Sequence, residues 1–347
     1  VYAYQRLVDE GNAETTRDRH ARHLVDRLDA YPTAMTMMAE HHLLADDALL
    51  ALDWAHGRDD RVLGARLVAG ASPIFIGRGL NDKGSQIHEW AADVDDPVLR
   101  STVFASHALL AMANAGDFVG LSRRALDTAG DRPFPRRVLC YLMQALGVLF
   151  IDSAKAHEFL QLAQDGLGTP GSSMNDQAGI DLWTADLALW RRDYRTALDV
   201  SVRSLHCPDL DPLTAMNIHG AHLLAALLCE EGGAVHHQLT DPGIDAMRQQ
   251  WNDGARRGEH WLLSYEAIRC AAVAWTGDHE SARRDLADAV AMVGPDAMTG
   301  VDGDLLGSFA WACLAAGETE RARELLDDTY GTARSPNTHI LLTEARE

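Results

Sequence analysis

The sequence predicts an all-α protein built from antiparallel helical hairpins. One pattern recurs along the 347 residues: an apolar helix, a short turn that carries Gly or Asp, and a second, amphipathic helix. A second observation is that no segment shows a convincing strand pattern. The clearest turns are Ala115-Gly116-Asp117, Arg192-Asp193-Tyr194, Thr276-Gly277-Asp278 and Ala316-Gly317-Glu318.

The spacing of the turns predicts how the hairpins are arranged. A single hairpin cannot bury its apolar face alone, so neighbouring hairpins must stack. The spacing of roughly 36 to 45 residues exceeds the 34 residues of a strict tetratricopeptide repeat, which indicates degenerate repeats. The sequence therefore predicts a tetratricopeptide-like, right-handed superhelix. Its turns are expected near Gly116, Asp152, Asp193, Gly232, Gly277 and Gly317.

The helices are expected in the following order. A first helix precedes Gly11, and a second covers about residues 13–30 and stops at Tyr31-Pro32. A further helix is expected from Asp46 or Asp47 through Trp54, ending near His56-Gly57, and a partner helix at about residues 60–71. The next segment, from Ser72-Pro73 to residue 81, should bend. Later loops are expected where Gly, Pro, Ser and Asn cluster, at residues 131–135, 166–176, 208–212, 239–243 and 293–303.

Composition limits the classes of partner. The formal net charge is −20, and such a surface repels phosphate backbones, so direct nucleic-acid binding is not expected. No apolar run approaches the ~20 residues that span a bilayer, so no membrane partner is expected. The 5 cysteines are dispersed singly, which favours reduced thiols over disulfides or a zinc site. We expect a cytoplasmic protein.

The motifs of common enzyme classes are missing from the sequence. A P-loop needs a Gly-Lys-Ser/Thr sequence, and neither Lys83 nor Lys155 lies in one. The 16 histidines form no His-Glu-x-x-His motif, and no serine lies in a Gly-x-Ser-x-Gly turn. We therefore expect no catalytic residue, no metal and no cofactor in this chain. A helical enzyme is retained only as the third alternative.

The residues expected to bind an effector lie on the first helices of the hairpins, which line the concave surface of a repeat array. Trp261, Tyr265 and Arg269 follow an i, i+4, i+8 spacing, so an Arg could hold an anion while the rings bury an apolar group. The alternative is that the aromatic residues pack between helices and Arg269 pairs with an acidic neighbour. Trp190 and Trp275, at helix ends, are interpreted as packing residues. The candidate set is Trp183, Asp186, Asn217, His222, Trp261, Tyr265 and Arg269.

The N-terminal hundred residues resemble a known family. The run Val1-Tyr2-Ala3-Tyr4-Gln5-Arg6-Leu7, then Gly11, then Arg17-Asp18-Arg19-His20-Ala21 is similar to the boundary segment of large bacterial STAND-type regulators. Ala51-Leu52-Asp53-Trp54-Ala55 and Leu63-Gly64-Ala65-Arg66-Leu67 resemble the helices that open the repeat array of that family. The sequence departs from the family pattern at Asn12, at Asp47-Ala48-Leu49 and at Lys83-Gly84.

The resemblance implies a function for the chain. Residues 1–32 would be the end of a winged-helix segment and its linker helices, and residues 33–347 the repeat array. The array would be the regulatory sensor of a P-loop ATPase that controls transcription. Its partners would be a protein or small-molecule effector and the upstream ATPase domain of the same polypeptide. The sequence leaves oligomerisation open. The alternative is a freestanding adaptor that recruits a protein or peptide.

Overall fold

The computed structural model describes residues 12–29, 44–77, 87–113, 116–149, 151–168, 174–207, 210, 212–253, 260–293 and 303–329. All regular secondary structure in these residues is helical, and they contain no strand. The predicted all-α class is therefore confirmed. None of the described helices is long and apolar enough to cross a membrane.

The chain divides into two compact units. One comprises residues 1–147 with 161–176, and the other comprises residues 148–160 with 177–347. The predicted boundary at residue 32 falls outside the described residues and stays a prediction, as do the helix before Gly11 and the loops at residues 208–209 and 294–302.

The helices that begin in the first unit are α1 (Ala13–Asp29), α2 (Leu44–Gly57), α3 (Arg61–Gly77), α4 (Pro97–Ala113), α5 (Phe118–Ala129) and α6 (Arg137–Val148). Residues 87–91 are also helical. Helix α1 packs on α2 and α3, α3 packs on α4, and α4 packs on α5. The core between these helices is apolar and includes the fully buried side chains of Leu24, Leu52, Leu67 and Phe75.

Helices α7 (Ser153–Asp165) and α8 (Met174–Trp190) each contain residues of both units. The remaining helices belong to the second unit: α9 (Tyr194–Leu205), α10 (Pro212–Leu228), α11 (Gly232–Thr240), α12 (Pro242–Asp253), α13 (His260–Trp275), α14 (His279–Val293), α15 (Gly303–Ala315) and α16 (Thr319–Thr329).

Two kinds of helix contact recur in the second unit. Sequence neighbours pair as hairpins, namely α10 with α11, α13 with α14, and α15 with α16. The first helices of successive hairpins also pack on each other, α10 on α13 and α13 on α15. Buried alanines such as Ala271, Ala272 and Ala312 keep these first helices slender enough to approach closely. The result is hairpins stacked through their first helices.

The turns have a common local chemistry. A residue in the left-handed region follows the first helix of three hairpins: Arg192 (φ 60°), Gly277 (φ 93°) and Gly317 (φ 84°). An acidic residue then precedes the second helix. Asp193 accepts from the Thr196 amide at 3.2 Å, and Asp278 accepts from the Ser281 amide at 3.0 Å. The turns predicted at residues 192–194, 276–278 and 316–318 are confirmed.

Helix α3 is longer than the sequence pattern suggests. The predicted bend begins at Ser72-Pro73, but α3 continues through both residues to Gly77. Pro73 has no N–H, so it cannot donate to the carbonyl of Ala69, four residues earlier. That carbonyl accepts instead from Arg136 Nη2 at 2.5 Å. A partner distant in sequence therefore supports the helix where a proline weakens it.

Candidate functional site

An open cavity among the described residues lies where the C-terminal ends of α10, α13 and α15 meet. We call it the tryptophan pocket. Its volume is about 320 Å³, at the lower end of the range for small-molecule sites. It is lined by Leu227, Leu228, Ala271, Ala274, Trp275, His279, Trp311 and Ala315.

The position of the pocket follows from the packing of the first helices. Helix α13 lies between α10 and α15, and each of the three ends at a hairpin turn. The small side chains of Ala271, Ala274 and Ala315 leave space at this end, and the indoles of Trp275 and Trp311 form part of the wall. Trp275 is 48% exposed, so one face of the pocket opens to solvent.

Gly232 has a direct part in this arrangement. It is the first residue of α11, and a Cβ placed on it would lie 3.4 Å from Cη2 of Trp275. The Trp275 indole therefore lies close against the turn between α10 and α11. A Cβ at position 232 would make an ordinary van der Waals contact with the ring that forms the pocket wall.

The pocket wall is apolar and its surroundings are acidic. His279 is the one titratable side chain among the lining residues. Within three residues of the lining positions along the chain lie Glu230, Glu231, Asp278, Glu280 and Glu318. Because the hairpin turns bring these segments to the same end of the helices, we call these five residues the acidic rim.

Few cations oppose the acidic rim. Arg195 pairs with Glu231 at 2.7 Å, Arg321 lies 3.9 Å from Glu318, and Arg284 is close enough to attract Asp278. In the described part of the chain, Glu230 and Glu280 are exposed and form no ion pair. The rim therefore keeps an excess of negative charge beside an apolar pocket.

The candidate residues on α8 and α10 are more enclosed than a ligand-binding surface requires. Trp183 and Asn217 are half-buried, and Asp186 is buried. His222 is 5% exposed, and its Nδ1 lies 3.1 Å from Ser201 Oγ on α9. Burial, together with the nearby His219 and His237, lowers the pKa of His222 to about 4. His222 is therefore neutral at pH 7 and joins α9 to α10.

The candidate residues on α13 contact neighbouring helices. Tyr265 is 2% exposed, its hydroxyl has no hydrogen-bond partner in the described structure, and burial raises the pKa of its hydroxyl. Arg269 Nη1 lies 2.8 Å from Asp285 Oδ2 on α14, which is the ion pair stated above as the alternative. Trp261 lies in α13, but its side chain lies outside the described residues. A ligand-binding role for the seven candidate residues stays a prediction.

Two further ion pairs stabilise the second unit and hold buried carboxylates. Arg248 on α12 donates from Nε and Nη2 to both carboxylate oxygens of Glu266 on α13, at 2.6 and 2.8 Å. Arg203 on α9 donates to Asp181 on α8, which also accepts from Ser204. Each buried carboxylate therefore has a cationic partner on the adjacent helix, which favours a structural role.

The pocket residues were not among the candidates from the sequence. Trp275 was interpreted as a packing residue, and Trp311 was not selected. A usable signal was present, because both tryptophans lie within one helical turn of the end of a first helix, just before the turns at residues 276–278 and 316–318. Trp275 precedes Gly277 by two residues and Trp311 precedes Gly317 by six, so both lie in the last part of a first helix. The ends of stacked first helices lie side by side.

Comparison with known proteins found no matching family model and no similar protein of curated function. Among the described residues, no group of three or more His, Cys, Asp or Glu side chains could hold a metal ion.

Proposed function

We propose that this chain is the regulatory sensor and protein-interaction region of a STAND-type ATPase transcriptional regulator. In this proposal the helical hairpins form a tetratricopeptide-like right-handed superhelix that binds an effector or partner. The supporting observation is the serial packing of α10, α13 and α15, which leaves an open pocket at their shared end. Stacked hairpins with such an end provide a binding surface and need no catalytic group.

The residues that carry the family resemblance lie on α1, α2 and α3. Ala21, Leu52 and Leu67 from these motifs are buried at the contacts among the three helices. The resemblance therefore rests on positions that determine packing. It supports a shared helical arrangement more directly than it supports a shared ligand.

The mechanism would be a shift between two packings of the array against an upstream ATPase domain. An effector changes this equilibrium only as far as it binds one packing more tightly than the other. A tenfold difference in affinity corresponds to about 1.4 kcal/mol, which lies within the usual range of allosteric coupling. Nucleotide exchange or oligomerisation would report the shift.

The test begins with the native reading frame that contains this chain. We expect it to encode a P-loop module together with a DNA-binding or nucleotide-cyclase domain. In that full-length protein, removal of the array should change ATPase activity or transcriptional output. Unchanged output after removal, together with no effector binding by the isolated array, would show that the proposal is wrong.

The alternative is a freestanding adaptor that recruits a protein or peptide. In this alternative, exposed apolar side chains such as Leu50 on α2 and Val62 on α3 would contact the partner. This proposal predicts a start codon close to Val1 and a specific partner in a pulldown from the native cell. An empty native pulldown would contradict it.

A further inference from the structure

We propose that the tryptophan pocket binds a small organic cation that has an apolar or aromatic body. This inference names the class of effector and rests on the proposed sensor function. It follows from four properties of the second unit, namely the size of the pocket, its aromatic wall, the charge around it and the orientation of the helix ends.

The size of the pocket selects a small molecule or a single side chain. A volume of about 320 Å³ is at the lower end of the range for pockets that hold small molecules. The lining carbons of Leu227, Leu228 and Ala274 would bury the apolar body of such a ligand, and the open side at Trp275 would admit it.

The indoles supply a surface for a positive charge. Among the described residues no Arg or Lys side chain lies over the ring of Trp275 or Trp311. Trp54 in the first unit shows the contrast, because the guanidinium carbons of Arg17 and Arg58 lie 5.5 and 5.1 Å from its ring centroid. The rings at the pocket are therefore available to an external cation. Tryptophan is the side chain that attracts cations most strongly through its ring face.

The acidic rim favours the same sign of charge. Glu230 and Glu280 are exposed carboxylates without ion pairs in the described structure, next to residues that bound the pocket. A net charge of −20 on the whole chain adds a long-range attraction for cations. The same charges would repel an anionic ligand.

The ends of the helices add to this field. Helices α10, α13 and α15 direct their C-terminal, partially negative ends toward the pocket. The partially positive N-terminal ends of α11, α14 and α16 lie at the same turns. Each is preceded by a carboxylate, Glu231, Asp278 or Glu318, which offsets its charge.

The experiment is a calorimetric titration of the whole chain with three probes that share one ring. The probes are benzyltrimethylammonium, benzyl alcohol and phenylacetate, which are cationic, neutral and anionic. We expect saturable binding of the cation, at least threefold weaker binding of the neutral probe, and no binding of the anion. Raising the salt concentration should weaken binding of the cation.

Two variants place the binding at the pocket. Trp275→Leu keeps an apolar side chain but removes the ring, and should weaken binding of the cation about 3- to 30-fold. The pair Glu230→Gln and Glu280→Gln should weaken it about two- to fivefold without affecting the neutral probe. The control is Trp190→Leu, a tryptophan at the end of α8, which should bind as the unaltered chain does.

Each outcome decides the proposal. Equal binding of the cationic and neutral probes, preference for the anion, or no binding of any probe overturns it. Since half of the Trp275 side chain is exposed, Trp275→Leu should retain the helical circular dichroism of the parent. If it does not, the Glu230 and Glu280 variants, which alter only exposed side chains, give the decision.

The binding measurements and the array-deletion experiment together separate this inference from the sensor proposal. If removal of the array changes the regulatory output but the protein binds no cation, the cation-site inference is wrong and the sensor function is retained. The opposite result is also possible. If Trp275→Leu abolishes cation binding but removal of the array leaves the regulatory output unchanged, the sensor function is contradicted and the binding site is retained.

Discussion

Arg136 Nη2 donates a hydrogen bond to the main-chain oxygen of Ala69, 67 residues earlier in the chain, at 2.5 Å. This oxygen would ordinarily accept from the amide of residue 73, but residue 73 is proline. The same guanidinium also donates to Ser106 Oγ on α4. A side chain from the segment before α6 thereby joins α3 to α4 at the point where α3 lacks one of its own hydrogen bonds.

The backbone at Arg136 has an unusual conformation. Its φ of 70° lies in the left-handed region, which non-glycine residues adopt at some energetic cost. The other non-glycine residues with positive φ in the described structure, Asp59, Arg192 and Glu230, follow the end of a helix, whereas Arg136 precedes one. Burial lowers the pKa of Arg136 to about 10 and leaves it charged at pH 7.

We expect Arg136→Met to lower the free energy of unfolding by about 1–3 kcal/mol, because the part-buried Ala69 carbonyl loses its charged donor. Pro73→Ala restores an amide that can donate to Ala69, so the same Arg136 substitution should be milder in that background. Urea unfolding of the four proteins measures the coupling. If Arg136→Met lowers the free energy of unfolding equally in both backgrounds, this account is wrong. The control is Arg123→Met, which alters an exposed arginine.

The ion pair between Arg248 and Glu266 should be strongly coupled. Arg248→Met leaves the buried Glu266 carboxylate without its cation and should destabilise the chain by about 3–5 kcal/mol. Adding Glu266→Leu removes the stranded charge and should recover most of that loss. Arg195→Met breaks an exposed pair with Glu231 and should leave the urea midpoint almost unchanged. If the Arg248→Met, Glu266→Leu double variant is no more stable than Arg248→Met alone, the two residues are not coupled as an ion pair.

Stability should fall on acidification because of His222. Its pKa is about 4 when folded, below the ordinary histidine value of 6.5, so the unfolded chain binds more protons between these values. Its contribution is therefore unchanged above pH 7 and is lost as pH falls from about 6.5 toward 4, by about 2 kcal/mol at pH 5. His222→Gln should flatten this part of the pH profile. An NMR titration with a His222 pKa near 6.5 would disprove the prediction.

Gly64 is required because the backbone of α3 comes close to the ring of Trp90 at this position. A Cβ at this position would lie 2.3 Å from Cζ3 of Trp90, whose indole N–H donates to Asp59 at 3.0 Å. Gly64→Ala should therefore displace the ring and destabilise the chain by about 1–3 kcal/mol. Gly57→Ala, which meets no atom within 4 Å, is the matched control. Thermal unfolding and near-UV circular dichroism measure both effects, and equal stability of the two variants would contradict this explanation.

Local chemistry made much of the helical layout predictable. The turns at residues 192–194, 276–278 and 316–318 are recognisable because a few adjacent residues supply both the left-handed conformation and the acidic residue before the next helix. The length of α3 was not predictable in the same way. Pro73 indicates a break, and the compensating donor, Arg136, lies far away in the sequence.

The candidate site was predictable only in part. The i, i+4, i+8 spacing correctly places Tyr265 and Arg269 on one helix, but it does not reveal that Arg269 meets Asp285 on α14. A helical period determines which side chains share a face. It does not determine what that face meets.

The sequence by itself determined the all-α class, the hairpin turns and the acidic balance of charge, because each follows from composition or from residues a few positions apart. Only the tertiary structure decided that Trp275 and Trp311 line one cavity, that Arg269 is paired, and that α3 continues through Pro73. These features depend on contacts between residues distant in the chain. Such contacts form when packing brings the helices together, and no local pattern records them.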